Sequence, residues 1–147
     1  MAINFDNPPL YDNFTDKGDR MSNLFRDWLA TFFQTVIQKL LFSQVVTTNQ
    51  QMQITNAYYA NGTQTVLLAL PQSADIGDII EVAALNANGW QITQTEGQQI
   101  RFKTSLTTVG AVGSLASTAI GDVATLKCIV TNTTWMVFAN EGTLTVV

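Results

Sequence analysis

The chain has 147 residues, with seven Lys and Arg against eleven Asp and Glu, no His, and a formal net charge of −4. That length suits one domain with a sizeable core, and the negative balance argues against a primary nucleic-acid role, which rests on Lys and Arg neutralising phosphates. The lack of histidine removes the commonest general base and the commonest metal ligand, so the expectation is a protein without enzymatic chemistry and without a cofactor.

Residues 1–18 carry Asn, Asp, the pair Pro8-Pro9, and the apolar Phe5, Leu10, Tyr11 and Phe14 without periodicity. Two adjacent prolines favour extended backbone and cannot donate hydrogen bonds, so this stretch reads as an arm that lies on a surface, its own or a partner's. It shows no basic region followed by an apolar run, so no signal peptide is expected.

The segment 19–43 reads as one long helix, with Asp16 or Asp19 available as a cap. Apolar pairs recur every four residues, at Leu24-Phe25, Trp28-Leu29, Phe32-Phe33, Val36-Ile37 and Leu40-Leu41. Four exceeds the ~3.6 residues of a turn, so the apolar stripe moves round the axis by roughly 40° per repeat, which suits a helix with several neighbours. Phe25, Trp28, Leu29, Phe32, Phe33, Val36, Ile37 and Leu40 are the candidate oligomer or docking contacts. Gln34, Gln38 and Lys39 interrupt the stripe, so no membrane insertion is expected.

Residues 44–147 form a β-rich region, with eight of the nine glycines beyond position 60. Val, Ile, Thr and aromatic residues alternate between them. A strand through Met52, Ile54 and Tyr58 ends at Asn61-Gly62, a strong hairpin signal, with its return at 66–70. Further strands are expected at 78–85, 90–95, 98–103, 123–131, 135–138 and 143–147, while 105–119 reads as a loop or a weak strand. The fold class is therefore mainly β with one long N-terminal α-helix. The β part is an antiparallel sandwich or meander of about eight strands.

Ile-Gly-Asp occurs twice, at Ile76-Gly77-Asp78 and Ile120-Gly121-Asp122, and each copy leads to a Trp (Trp90, Trp135) and then a Glu-Gly pair. The copies are offset by 44 residues at Gly-Asp and by 45 from Trp onward, which reads as a duplicated strand-turn-strand unit. Its residues are turn and packing types.

Carboxylate-only chemistry, as in a glycosidase, has the candidates Asp75, Asp78, Glu81 and Asp122, but an Asp beside Gly usually satisfies local backbone amides. Calcium at the Asp75-Ile76-Gly77-Asp78 turn is an open but weakly signalled alternative, because a hard cation takes six to eight oxygens. Cys128 is the single cysteine, so no intrachain disulfide is available, and its alternating surroundings make it a small buried hydrophobe. Tyr58, Tyr59, Trp90 and Trp135 are the candidate glycan contacts, because an aromatic face can stack on a sugar ring; the competing reading puts both Trp residues in the core.

From about residue 71 to 147 the sequence resembles a β-rich module of bacteriophage tail fibres, other virion appendages and some large bacterial surface proteins. The resemblance rests on Gly77-Asp78, Gly89-Trp90-Gln91-Ile92 with Gln94, Gly97-Gln98 with Ile100 and Phe102, Thr107-Thr108, Gly113-Ser114-Leu115, Gly121-Asp122, Leu126 with Cys128, Trp135 and Gly142. Where that module often has Gly after the Phe, this chain has Lys103. The resemblance implies a virion structural protein, made and assembled in the host cytoplasm. It also implies a homotrimer, and three copies could wrap their helical stripes together. Its partners would be itself, other virion proteins through the arm and helix, and a host-surface glycan. The runner-up readings are a capsid decoration or cement protein and a carbohydrate-binding receptor module.

Overall fold

A computed structural model describes residues 15–16, 20–21, 23–37 and 41–147, with side chains from 26–33 and 41–147. The chain divides into two compact units, Met1–Leu40 and Leu41–Val147. In the first, β1 (Thr15–Asp16) and β2 (Arg20–Met21) pair antiparallel, Thr15 opposite Met21 and Asp16 opposite Arg20, ahead of helix α1 (Asn23–Ile37). The helix is thus 15 residues, about 22 Å, and not the long element expected over 19–43. Asp16 lies in a strand and does not cap it. At the other end Phe42 begins a strand, because aromatic and β-branched residues at Phe42, Val45 and Val46 gain a full ladder on a neighbour. The apolar residues of the arm and the alternative cap Asp19 lie outside the described residues.

The second unit contains β3 (Phe42–Val46), β4 (Gln50–Gln51), β5 (Asn56–Ala60), β6 (Val66–Ala69), β7 (Ile79–Ala84), β8 (Trp90–Thr93) and β9 (Gln99–Phe102). It continues with β10 (Ser105–Leu106), β11 (Ser114–Ser117), β12 (Val123–Val130), β13 (Thr134–Glu141) and β14 (Leu144–Val146). They form a seven-stranded sheet, β10-β9-β13-β12-β7-β5-β3, and a five-stranded sheet, β14-β11-β8-β6-β4. The mainly β class is as read from the sequence. Of the expected antiparallel sandwich or meander of about eight strands, the two-layer arrangement is present, but the sheets hold seven and five strands and several of their pairs are parallel.

From β3 to β9 the chain changes sheet at every step, and each of β3 to β8 pairs parallel with the strand two places on or back. Phe42, Asn56 and Ile80 lie side by side in one sheet, and Gln50, Leu68 and Ile92 in the other. The first half of the unit is thus a two-sheet coil of three rungs, followed by antiparallel closure through β12, β13, β11 and β14.

Asn61-Gly62 consequently makes no hairpin, since β5 and β6 belong to different sheets. It is a crossing arc stacked on the arcs of neighbouring rungs: Asn61 N donates to Val46 O (2.8 Å), and Leu85 N to Ala60 O (2.9 Å). The Asn86 amide donates to Asn61 Oδ1 (3.1 Å) and Gly62 O (2.7 Å). These bonds satisfy polar backbone that a tight turn would have paired internally.

The two Ile-Gly-Asp copies are related, but not as duplicated strand-turn-strand units. β7 and β12 pair antiparallel with Glu81 opposite Thr125, and those residues occupy the same position in each copy. The first strands of the two copies therefore meet across a local two-fold. At one end Gly77 N donates to Cys128 O and Cys128 N to Asp78 O; at the other Gly121 N donates to Ala84 O and Ala84 N to Asp122 O, all 2.9 Å. Both glycines have positive φ (101° and 85°), which turns the backbone into the ladder at little steric cost. Beyond β7 and β12 the copies diverge. β8 crosses to the five-stranded sheet, whereas β13 returns beside β12 as a hairpin.

One core lies between the sheets, with Ile80, Leu126 and Trp135 from one and Leu68, Ile92 and Leu115 from the other all fully buried. Two parts of 105–119 pair as strands, β10 on β9 and β11 between β8 and β14.

Candidate functional site

Each carboxylate considered for chemistry is placed by the ladder. Asp122 is buried, and its Oδ2 accepts from Thr118 N (2.6 Å), Ala119 N (2.9 Å) and Thr118 Oγ1 (3.3 Å). Asp78 Oδ2 accepts from Asp75 N (2.7 Å). These turns sit at opposite ends of the β7–β12 ladder, so at ~3.4 Å per residue the two carboxylates are on the order of 20 Å apart, well beyond the ~5–10 Å of a paired acid and base. Glu81 is midway, on the outer face, accepting from Thr125 Oγ1 (3.3 Å). Among the described residues no three His, Cys, Asp or Glu side chains come together as a metal ion would need.

The densest polar arrangement is a buried network under the 94–113 segment. Gln94 donates its amide to Gln98 O (3.0 Å), Thr108 O (2.8 Å) and Gly110 O (3.0 Å), while its oxygen accepts from Thr107 Oγ1. Thr107 Oγ1 in turn accepts from Ile100 N (2.8 Å). Gln98 accepts from Thr95 N (3.0 Å) and donates to Pro71 O (2.8 Å) and Asn132 O (3.3 Å). Gly113 fits here because a Cβ would fall 1.9 Å from Thr108 O and 2.6 Å from Gln94 Nε2. The network explains the polarity of Gln94 and Gln98: they pin loop carbonyls at one end of the core. Their burial could not be read from the sequence, where Gln and Thr look like surface residues.

The aromatic platform expected for a sugar is mostly spent on packing. Tyr58, Trp90 and Trp135 are 1%, 0% and 0% exposed, so their ring faces are not available to a ligand. The Tyr58 hydroxyl accepts from Gln53 N (2.6 Å), and Trp90 Nε1 donates to Asp122 O (3.2 Å). Trp135 Nε1 is buried without an acceptor among the described residues. Tyr59 alone of the four stays half-buried, its hydroxyl 3.3 Å from Ser43 Oγ.

On α1, spacing of four brings Trp28 and Phe32 onto one face, where their rings stack with centroids 5.6 Å apart and planes inclined by 15°. Phe33 meets Phe32 edge-on at 5.8 Å and is 52% exposed, while Trp28, Leu29 and Phe32 are half-buried. The side chains of Phe25, Val36, Ile37 and Leu40 lie outside the described residues. No helix among the described residues is long and apolar enough to cross a membrane.

Cys128 is buried in the core, its thiol 3.3 Å from Val130 O, and burial pushes its pKa up, partly offset by backbone hydrogen bonding. Open grooves among the described residues include two lined by polar side chains. One of about 470 Å³ is walled by the 47–49 and 63–65 arcs, with Thr, Asn and Gln side chains. The other, about 320 Å³, runs between β3 and β4 and is lined by Phe42, Gln44, Gln50 and Gln53 among others. The chain matches no protein-family model and no curated protein.

Proposed function

We propose that the chain is a structural component of a tailed bacteriophage particle, a short fibre, collar or tail-associated protein, that assembles as a homotrimer through its N-terminal segment and displays the β unit. What supports this reading is the phage-module pattern over residues 71–147 together with an aromatic helix preceding the β unit. The observation that carries the assembly step is the stacked pair Trp28–Phe32 beside the half-exposed Phe33. An aromatic ridge on a helix of about four turns gains roughly 1.5–3 kcal/mol for each side chain fully withdrawn from water, so a few rings per copy can hold copies together. Repeated display then converts weak surface contacts into avidity.

The experiment is mass determination in solution on the full chain and on Phe32→Asp. A trimer that dissociates on the substitution agrees with the proposal; a wild-type monomer at all concentrations refutes it. Imaging of labelled chain on intact particles separates a tail or collar position from capsid decoration, and chain that never co-purifies with particles refutes the virion role.

A further inference from the structure

We infer that the β3–β4 side of the coil is a second self-association surface, at which the edge of another copy of this chain pairs with β3. The inference is independent of the helix contact proposed above.

β3 is a terminal strand of the seven-stranded sheet and β4 of the five-stranded one, so the first rung of the coil ends without a neighbour among the described residues. In a parallel ladder alternate residues bond to the same neighbour. Phe42 N donates to Thr55 O (2.9 Å) and Asn61 N to Val46 O (2.8 Å), which fixes Phe42, Gln44 and Val46 as the set facing β5. The N–H and C=O groups of Ser43 and Val45 therefore point away from the sheet. Phe42 and Val45 are 54% and 58% exposed. In the groove between the two strands, Gln50 Nε2 is shut off from solvent without an acceptor among the described residues.

Protein edges open to solvent are normally guarded by Lys, by Pro or by a bulge. This one has none of them: no Lys, Arg, Asp or Glu occurs from residue 40 to residue 74, the stretch that contains β3, β4, β5 and β6. The charged residues of the second unit begin at Asp75, in the link that leads into β7, and all the others lie beyond it. That distribution selects the occupant. A charged partner would find nothing here to recognise, whereas two copies that each carry a net −4 can meet along this side with no ionic group opposed to its like. Uncapped rungs of a coil are completed by further strands, and an identical edge supplies complementary N–H and C=O groups.

The test uses the full-length chain. Hydrogen exchange at the Ser43 and Val45 amides is followed across protein concentration, and solution mass is compared for wild type, Ser43→Lys/Val45→Lys, Val112→Lys and Phe32→Asp. Val112 is 72% exposed on a distant loop and controls for added charge. The expected result is that both amides become protected at least tenfold as copies associate, and that the double substitution weakens association at least tenfold with unchanged circular dichroism while Val112→Lys does not. Protection that is independent of concentration would mean that the chain's own segment covers the edge, and it overturns the inference. Unaltered association of the double variant, with both amides exchanging freely, also overturns it; the helix contact then stands or falls on Phe32→Asp alone. If Phe32→Asp leaves the assembly intact and the double variant dissolves it, the inference holds and the helix reading fails.

Discussion

Glu81 and Thr125 face each other at the centre of the β7–β12 ladder, with Thr125 Oγ1 donating to Glu81 Oε2 at 3.3 Å, and that pairing places the two Ile-Gly-Asp turns at opposite ends of it. Each turn closes one end of a shared ladder. Their aspartates nevertheless carry unequal loads: Asp122 is buried and accepts three hydrogen bonds, while Asp78 accepts a single one from Asp75 N at an exposed turn. Removing Asp122 takes a charged acceptor from two backbone donors, Thr118 N and Ala119 N, at a part-buried turn. Asp122→Ala should cost about 2–4 kcal/mol and Asp78→Ala about 1 kcal/mol, read from urea midpoints with unchanged slope. Equal costs would show that burial at Asp122 does not matter.

Gln94 is the keystone of the buried network, and its replacement by Leu keeps volume while abandoning the carbonyls of Gln98, Thr108 and Gly110. A loss of roughly 3 kcal/mol is expected, with amide exchange rising first in the 105–113 segment. A stability change below ~1 kcal/mol would mean that water replaces the side chain and the network is dispensable.

Lys103 has φ 55° in the two-residue link between β9 and β10, a backbone conformation that favours Gly. A left-handed backbone costs an L-residue roughly 1–2 kcal/mol, against which stand glycine's extra freedom in the unfolded chain and an exposed cation–π contact to Phe102 at 4.9 Å. Lys103→Gly should therefore gain about 0.5 kcal/mol, and Lys103→Val should lose more than about 1 kcal/mol. Thermal midpoints that move the other way in both variants would rule out strain at this link.

Burial raises the Cys128 pKa, so the folded chain holds the neutral thiol over a pH range in which the unfolded chain has ionised. The associated stability is fully present below the ordinary cysteine range near ~8.5 and is lost as pH rises through the folded value, at up to ~1.4 kcal/mol per pH unit. Denaturant midpoints between pH 7 and 10.5 should fall more steeply for wild type than for Cys128→Ala. Thiol reagents should modify the native protein only as fast as it unfolds, and rapid native labelling would contradict the burial.

The strands themselves were legible from alternation: β5 through β9 and β12 through β14 fall within or beside the expected runs. Their partners were not, because Val-Leu-Leu-Ala at 66–69 alternates identically whether the next strand is a hairpin mate or a rung of a coil. Asn61-Gly62 suited a tight turn chemically, yet its polar backbone found partners on stacked arcs instead. β3 was hidden inside the helical signal, since the apolar pairs continue through Leu40-Leu41 and an edge strand exposed on both faces has no alternation of its own. The core role of Trp90 and Trp135 was one of the two readings their repeated positions supported. Among the candidate residues, the pairing of Trp28 with Phe32 was implicit in their spacing, whereas the Gln94 network depends on residues brought together by the fold.

Winding between two sheets also governs how this molecule must form. Rung-to-rung pairs such as Phe42 with Asn56 and Asn56 with Ile80 are non-local, and the β7–β12 ladder that joins the coil to its closure spans a longer loop still, so each demands loop closure before any contact rewards it, and such topologies mature over milliseconds to seconds. The β12–β13 hairpin, with its short link at residues 131–133, is the natural nucleus, and the ends of the coil settle last. During that interval the uncharged first rung is the part of the nascent protein most exposed to mispairing, which makes the rate of synthesis and the local copy number as consequential for yield as the final stability.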